Sequence, residues 1–549
     1  MWNRFINKQE NIVTESINGL VLSSPDLARL DGYPDIKVVA IKSWDKDVHG
    51  KEQVALISGG GAGHEPAHSG FVGEGFLTAA VSGEIFASPS VEAILAAIRA
   101  VTGAAGCLLI IKNYTGDRLN FGLAAEIAKS HYSLNVEMVI VGDDRAIETE
   151  QARGLAGTLL IHKIAGALSA QRVKLKEIKG VVEETVGKIA TIGLSLSNCN
   201  IPGGEPKERI KSGEIELGLG IHGEPGASTM KLKSARHLID LLLEQLANHI
   251  PKHGELLAFL NGLGTVPPME LNILASDLMQ SNLASRISML LGPAQMMTSL
   301  DMNGVSLSIL PLSENLKELL RFKVSNTFWN LTEYPSLDLL PCPEYEGISF
   351  LSSSHPTTEK VLKHVCEALI AKKDELNDLD FKVGDGDAGT TFSLAAKRIL
   401  EKLPSLPLKE PKNLSLALGQ SLASAGGSSG VLLSIFFTAV GKHLTDGGDW
   451  DQGALKAGLQ AMSNYGGAKL GDRTMLDAMI PAIEQLNRGL SFALDAAKSG
   501  FEKTKSIHST SSGRSSYLSA DRLKGTPDPG AAAVVCVLEA ICEVVEEKS

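Results

Sequence analysis

Apolar positions in the first 330 residues follow two rhythms. Short β-branched runs at Lys37–Ile41, Gln53–Ile57, Cys107–Ile111 and Val136–Val141 read as strands, while Ser90–Arg99 and Leu119–Lys129 repeat apolar residues at helical spacing. Strands alternating with helices predict an α/β region with a largely parallel sheet. Glycines and carboxylates just after such strands would lie at the carboxyl edge of that sheet, where open α/β folds take ligands. From about 331 to 357 the rhythm breaks into Glu333-Tyr-Pro, Pro341-Cys-Pro and Ser352-Ser-Ser-His-Pro, the composition of a linker. Beyond it only the helical period continues. Val361, Leu362, Val365, Cys366 and Leu369 share one face, and segments 413–425, 430–443, 451–464, 474–498 and 530–546 follow without strand alternation. The expected organisation is multidomain: α/β over 1–332, a linker over 333–357, and an all-helical domain over 358–549.

Composition narrows the class. At 549 residues the chain exceeds one comfortable core, and 44% hydrophobic with 21% charged residues fits a globular enzyme-like protein. A net charge of −11 argues against nucleic acid or an anionic membrane as partner. The most apolar segment, Gly430–Gly441, is about half the length a spanning helix needs and reads as a buried helix. The N-terminal residues show no apolar signal core. The six scattered cysteines contain no C-x-x-C pair, so free thiols in a reducing cytoplasm are expected.

Three regions carry candidate chemistry in the α/β part. Ser58-Gly-Gly-Gly-Ala-Gly-His64-Glu-Pro-Ala-His68 follows a strand, and its glycines Gly60, Gly61 and Gly63 around Ala62 turn backbone N–H groups toward a phosphate or small polyol, or else simply make a tight connection. It lacks the Lys-Ser/Thr of a Walker loop and the dinucleotide spacing. Lys112-Asn-Tyr-Thr-Gly-Asp117 follows another strand; Asp117 either orients a substrate hydroxyl or caps the next helix. His222 lies among glycines in Gly220-Ile-His-Gly-Glu-Pro-Gly226, where an imidazole can serve as nucleophile or base, or as a structural residue.

In the helical part, Asp380-Phe-Lys-Val-Gly-Asp385-Gly-Asp387 crowds three carboxylates into eight residues. Such a set is either an acidic surface turn or a hard oxygen site suited to Mg²⁺ shared with phosphates. Gly426-Gly-Ser-Ser-Gly430, Gly466-Gly467, Gly471-Asp-Arg-Thr-Met475, Gly513-Arg514 and Asp528-Pro-Gly530 fall at helix breaks, where N–H and hydroxyl donors collect. Their number beside the three aspartates favours a nucleotide-phosphate basket.

Taken in order, these motifs closely resemble the ATP-dependent dihydroxyacetone kinases in which two domains are fused in one chain, and the resemblance runs nearly end to end. It implies a triose-binding K domain of two α/β subdomains and an ATP-binding L domain forming a barrel of antiparallel helices. It also implies the roles. His222 would bind the C2 carbonyl covalently as a hemiaminal, with His64 and Asp117 in acid–base work. Gly60, Gly61, Ala62, Gly63, Lys112 and Asp117 would hold the triose. Asp380, Asp385 and Asp387 would hold two Mg²⁺ ions, and Ala388, Gly389, Thr390, Thr391, Ser428, Ser429, Gly466, Met475, Arg514, Asp528, Pro529 and Gly530 would hold ATP. A homodimer through the K domains is implied as well. Ala62 stands where the family usually has serine, and Asn261-Gly-Leu-Gly-Thr also departs from the usual pattern. D-glyceraldehyde phosphorylation and flavin adenine dinucleotide cleavage remain open within the class, and a triose-binding regulator remains open outside it.

Overall fold

A computed structural model describes residues 4–32, 35–146, 152–204, 209–324, 328–343, 348–423, 427–507 and 523–546. Two compact units result, Met1–Leu340 and Pro341–Ser549.

The first unit is built on two sheets. Six strands, β1 (Leu27–Arg29), β2 (Val38–Ile41), β3 (Ala55–Ala62), β4 (Ala79–Ile85), β5 (Cys107–Lys112) and β6 (Val136–Val141), order as β1-β2-β4-β3-β5-β6. The block β4-β3-β5-β6 is parallel, and β1 and β2 add an antiparallel edge. The second sheet uses β7 (Ala190–Ser195), β8 (Glu214–Leu217), β9 (Ser228–Lys231), β10 (Leu256–Gly262), β11 (Ile287–Ala294), β12 (Gly304–Pro311) and β13 (Leu331–Glu333) in the order β13-β11-β10-β12-β7-β8-β9. Here the expectation of a largely parallel sheet fails. Only β10 and β11 run parallel, and the remaining pairs are antiparallel.

The strand patterns follow from what covers each face. All six residues of β5 are buried because Cys107, Leu109 and Ile111 pack under helices Val91–Val101 and Thr115–Tyr132, while Leu108 and Ile110 enter a core shared by both sheets. That shared core includes Leu56 from the first sheet, Phe259 and Leu291 from the second, and Ile161 and Ile178 from helices Thr158–Ala170 and Leu175–Val186. Each fully buried aliphatic side chain there contributes about 1.5–3 kcal/mol. Helix Thr158–Ala170 is buried on every side from Thr158 to Ser169, and even Lys163 is enclosed. Its ammonium donates to the carbonyls of Leu319 (2.9 Å) and Phe322 (2.7 Å), the open end of helix Glu314–Arg321.

The second unit is helical. Packing runs through Pro356–Ala371, Ala388–Lys402, Pro411–Ala423, Gly427–His443, Gln452–Gly466, Leu476–Gln485, Leu490–Thr504 and Pro529–Glu546, and the last helix returns to the first, closing a ring. Phe392, Phe436, Met462 and Leu476 lie in its apolar core. Helix Gly427–His443 differs from the buried segment expected: only Gly430, Phe436, Val440 and Gly441 are enclosed, as suits a helix with one face on a ring interior. The segment 474–498 holds two helices, separated at Gly489 (φ 125°), a conformation L side chains rarely adopt. No helix among the described residues is long and apolar enough to cross a membrane, and the six cysteines are unbridged.

Candidate functional site

In the first unit the glycine-rich stretch is less a loop than the end of β3, which runs through Gly61 to Ala62 with every residue buried. Ala62 is core. Two glycines have clear local reasons. A Cβ on Gly60 would sit 3.3 Å from Lys112 Nζ and 3.5 Å from Asp117 Oδ2, so its bareness opens the space these groups face. Gly63 has φ +100° and passes 2.8 Å, measured from where a Cβ would be, from the Phe86 ring. The chain then delivers His64, which is clamped by the connection between β11 and β12: Thr298 N–H donates to the His64 carbonyl (3.1 Å), Leu300 N–H to that of Gly63 (2.8 Å), and His64 Nδ1 meets the Thr298 carbonyl at 2.7 Å.

A carbonyl only accepts, so His64 carries its proton on Nδ1. Nε2, buried and with no hydrogen-bond partner among the described residues, presents a lone pair. Burial first, then the neighbouring Lys112 and His222, hold the ring's pKa well below the usual histidine range.

Lys112 closes β5 and Asp117 sits in the first turn of helix Thr115–Tyr132, both buried. Asp117 is not the N-cap, which falls on Tyr114; its Oδ1 instead accepts from Ser88 Oγ at 2.5 Å. Burial pushes the Lys112 ammonium down from its ordinary value, opposed by Asp117 and Glu65. His222 comes from the turn after β8. Its ring meets those of Tyr114, His64 and Phe86 edge-on at 4.4, 4.8 and 5.2 Å between centroids. It keeps 17% of its side chain exposed, so the cluster opens to solvent there. Glu224 Oε1 lies 3.4 Å from His222 Nδ1 while Oε2 accepts the His222 backbone N–H at 3.0 Å. Burial works to raise the Glu224 carboxyl, but the contact with His222 and backbone N–H groups outweigh it and leave it below the ordinary range. With Nδ1 facing Glu224, Nε2 is the nitrogen left for an electrophile. Glu224, Ser88 and Phe86 were not foreseen; the H-x-E spacing at His222 was the available signal for the first.

In the second unit Asp380 lies in the last turn of helix Lys373–Val383, and its Oδ2 accepts N–H donors from Asp387 (2.9 Å) and Ala388 (3.1 Å). That folds the acidic loop back on itself: one carboxylate oxygen from each of Asp380, Asp385 and Asp387 lies within 4.8 Å of the others. An all-carboxylate, partly exposed donor set of this size fits a hard divalent cation such as Mg²⁺. Around it one pocket gathers Ala388, Thr391, Ser428, Ser429, Gly466, Met475, Asp528, Pro529 and Gly530. Two expected residues are not on its wall. Gly389 packs where a Cβ would meet the Lys373 carbonyl at 1.9 Å, and Thr390 binds Asn377 through its N–H (3.0 Å) and Oγ1 (3.1 Å), so both pin the helix start instead. Arg514 lies outside the described residues. Arg473, fully buried, joins the wall and donates from Nη2 to the Thr526 carbonyl at 2.8 Å, fixing the approach to Asp528. Burial pushes the Asp528 carboxyl up to about 7, with Arg473 opposing.

The α/β unit thus carries a His-Lys-Asp cluster and the helical unit a carboxylate-lined pocket. Residues 18–328 match the Dak1 domain and residues 382–543 the DAK2 domain. The chain is 42% identical to the dihydroxyacetone kinase of Citrobacter freundii, covering 98% of this chain and 99% of that one. It is 38% identical to the triokinase/FMN cyclase of Homo sapiens, with 99% of each covered. The crystal structure of the C. freundii kinase with AMP-PNP and Mg²⁺ superposes with a TM-score of 0.75 at 41% identity, covering 99% of this chain and 100% of that one. The chain belongs to the dihydroxyacetone kinase family with Dak1 and DAK2 domains fused.

Proposed function

We propose that this chain transfers the γ-phosphoryl group of ATP to dihydroxyacetone, with D-glyceraldehyde as a further acceptor. The observation that carries the reading is the convergence of His222, His64 and the pair Lys112 and Asp117, from three separate segments, on one largely buried cluster. His222 Nε2 adds to the C2 carbonyl, forming the N–C bond as the π pair moves to oxygen. That oxygen takes one proton from solvent, relayed at His64 Nε2, while the imidazole's Nδ1 proton passes to Glu224 and from there to solvent, so the hemiaminal forms with no net change in charge. Lys112 and the backbone beside Gly60 and Gly61 hold the triose hydroxyls. Asp117 accepts the proton of the hydroxyl that attacks phosphorus, as the bond from γ-phosphorus to the bridging oxygen of ADP breaks.

A covalent carbonyl adduct selects ketone over alcohol, where size alone separates dihydroxyacetone from glycerol poorly. Asp380, Asp385 and Asp387 are the residues to hold Mg²⁺, two ions in this proposal, whose chemistry is neutralisation of phosphate charge. Ala388, Thr391, Ser428, Ser429, Gly466, Met475, Asp528, Pro529 and Gly530 are the proposed nucleotide wall, with Gly389 and Thr390 supporting it and Arg514 added by resemblance. We further propose a cytoplasmic homodimer through the first unit. Release of cyclic flavin phosphate is a second reading, favoured by the name of the human relative.

The test is ADP release with dihydroxyacetone, D-glyceraldehyde and glycerol offered separately. Release with the first two and not with glycerol supports the reading; equal release with glycerol contradicts the adduct.

A further inference from the structure

Behind Lys112 stands a row of imidazoles that the chemistry above leaves unused. Lys112 Nζ lies 3.2 Å from His68 Nε2, and His68 Nδ1 lies 3.0 Å from His162 Nε2. His68 comes from the segment after β3 and His162 from helix Thr158–Ala170. Exposure is 0% for Lys112 and His162 and 5% for His68.

The proton positions follow by elimination. An ammonium only donates, so His68 Nε2 accepts from Lys112, and the neutral ring holds its proton on Nδ1. Ser58 Oγ, 3.4 Å from that Nδ1, commits its only proton to the Ile110 carbonyl at 2.6 Å and can only accept there. His68 Nδ1–H therefore donates to His162 Nε2. His162 in turn holds its proton on Nδ1, a buried nitrogen with no hydrogen-bond partner among the described residues. Burial and then the charge of Lys112 lower both rings far below the usual histidine range, His162 to about 3, so neither charges near neutral pH.

A proton leaving Lys112 along this row finds no further acceptor, so the row is not a wire to solvent. What it does present is two imidazoles aligned head to tail, each with its lone pair directed toward the ammonium. A buried donor left without a partner is costly, and an apolar side chain at 162 would avoid that cost. We propose that His68 and His162 are positioning residues, a pair of fixed polarity that holds the Lys112 ammonium charged and aimed at the triose without either ring touching substrate. This rests on the role of Lys112 given under the proposed function. The other groups acting on Lys112 are Asp117 from helix Thr115–Tyr132, Glu65 after β3, Glu224 after β8 and Asp143 after β6, all favouring the charged form, with His64 nearby.

The experiment compares the wild-type full chain with His162→Leu, which removes the acceptor from His68, and His162→Gln, whose carbonyl restores one. Covalent triose adduct without ATP, by intact mass, and kcat/KM for dihydroxyacetone are followed from about pH 6 to about pH 10. In His162→Leu the alkaline limb is expected to move down by about one pH unit and KM for dihydroxyacetone to rise about tenfold, with KM for ATP unchanged. His162→Gln is expected to recover the wild-type limb. A wild-type limb in both variants, with only the yield of folded protein reduced, overturns the proposal. If His162→Leu does not fold, His68→Asn, which withdraws the acceptor from Lys112, is read the same way. A wild-type chain that forms no adduct and releases no ADP defeats the kinase reading itself, and this proposal with it, before any variant is compared.

Discussion

His64 Nδ1 lies 2.7 Å from the carbonyl oxygen of Thr298, and this contact decides which ring nitrogen takes part in chemistry. Nε2 is left as a buried lone pair on a ring held neutral by its burial and by Lys112 and His222. His64→Asn keeps a donor for Thr298 and deletes the lone pair. Steady-state kinetics are expected to show kcat lowered about 10²- to 10⁴-fold with KM for ATP unchanged.

Asp385 belongs to the carboxylate set of the helical unit. Asp385→Ala is expected to weaken Mg-ATP binding at least about tenfold by calorimetry while leaving triose adduct formation intact. Removal of Mg²⁺ by chelation is expected to give the same pattern in the wild-type chain. Loss of the adduct in either case would contradict the assignment of separate sites.

Gly60 faces the space between Lys112 and Asp117, where a Cβ would stand 3.3 and 3.5 Å from their polar atoms, at φ +151°. Gly60→Ala is expected to raise KM for dihydroxyacetone about tenfold or more, about 1.4 kcal/mol, without altering KM for ATP. Unchanged triose kinetics would show that the triose does not use this space.

Acid stability follows from the three buried rings His64, His68 and His162, all lowered by burial. Their folded pKa values lie below the unfolded value, so the stability they contribute is full above about pH 6.5. It is lost as pH falls from there through the folded values, which for His162 is about 3. Each ring contributes up to about 1.4 kcal/mol per pH unit inside its window. Thermal unfolding of the wild-type chain is expected to show a midpoint falling between about pH 6.5 and about pH 5. The same loss is expected to shrink in His162→Gln.

The sequence rhythm carried the division into an α/β and a helical half because a short apolar run buried on both faces, as in Cys107–Lys112, differs from a long segment that buries one face, as Ala388–Lys402 does with Phe392, Ala395 and Ala396. Strand direction in the second sheet was not legible. It depends on partners distant in the chain, such as β10 against β12, rather than on the composition of either strand. The glycine run at 59–63 looked like a loop, yet most of it is strand, because glycine lets β3 lie close to the segment after β4. The candidates His64, Lys112 and Asp117 could be named from their place at or just after the ends of β3 and β5, with a structural reading open beside each. Glu224 and Ser88 were not, because an acid or a serine in a turn reads as turn chemistry until its partner, His222 or Asp117, is placed beside it. His162 was hidden for the opposite reason: it lies in a mostly apolar helix, beside Lys163.

The central claim is that His222 bonds covalently to the triose, and intact-protein mass after incubation with dihydroxyacetone tests it most directly. The account predicts a gain of one triose per chain in the wild type, none in His222→Ala, and ADP release lost in that variant while ATP still binds. A wild-type chain that releases ADP with no mass gain, or a His222→Ala chain of undiminished activity, would contradict it.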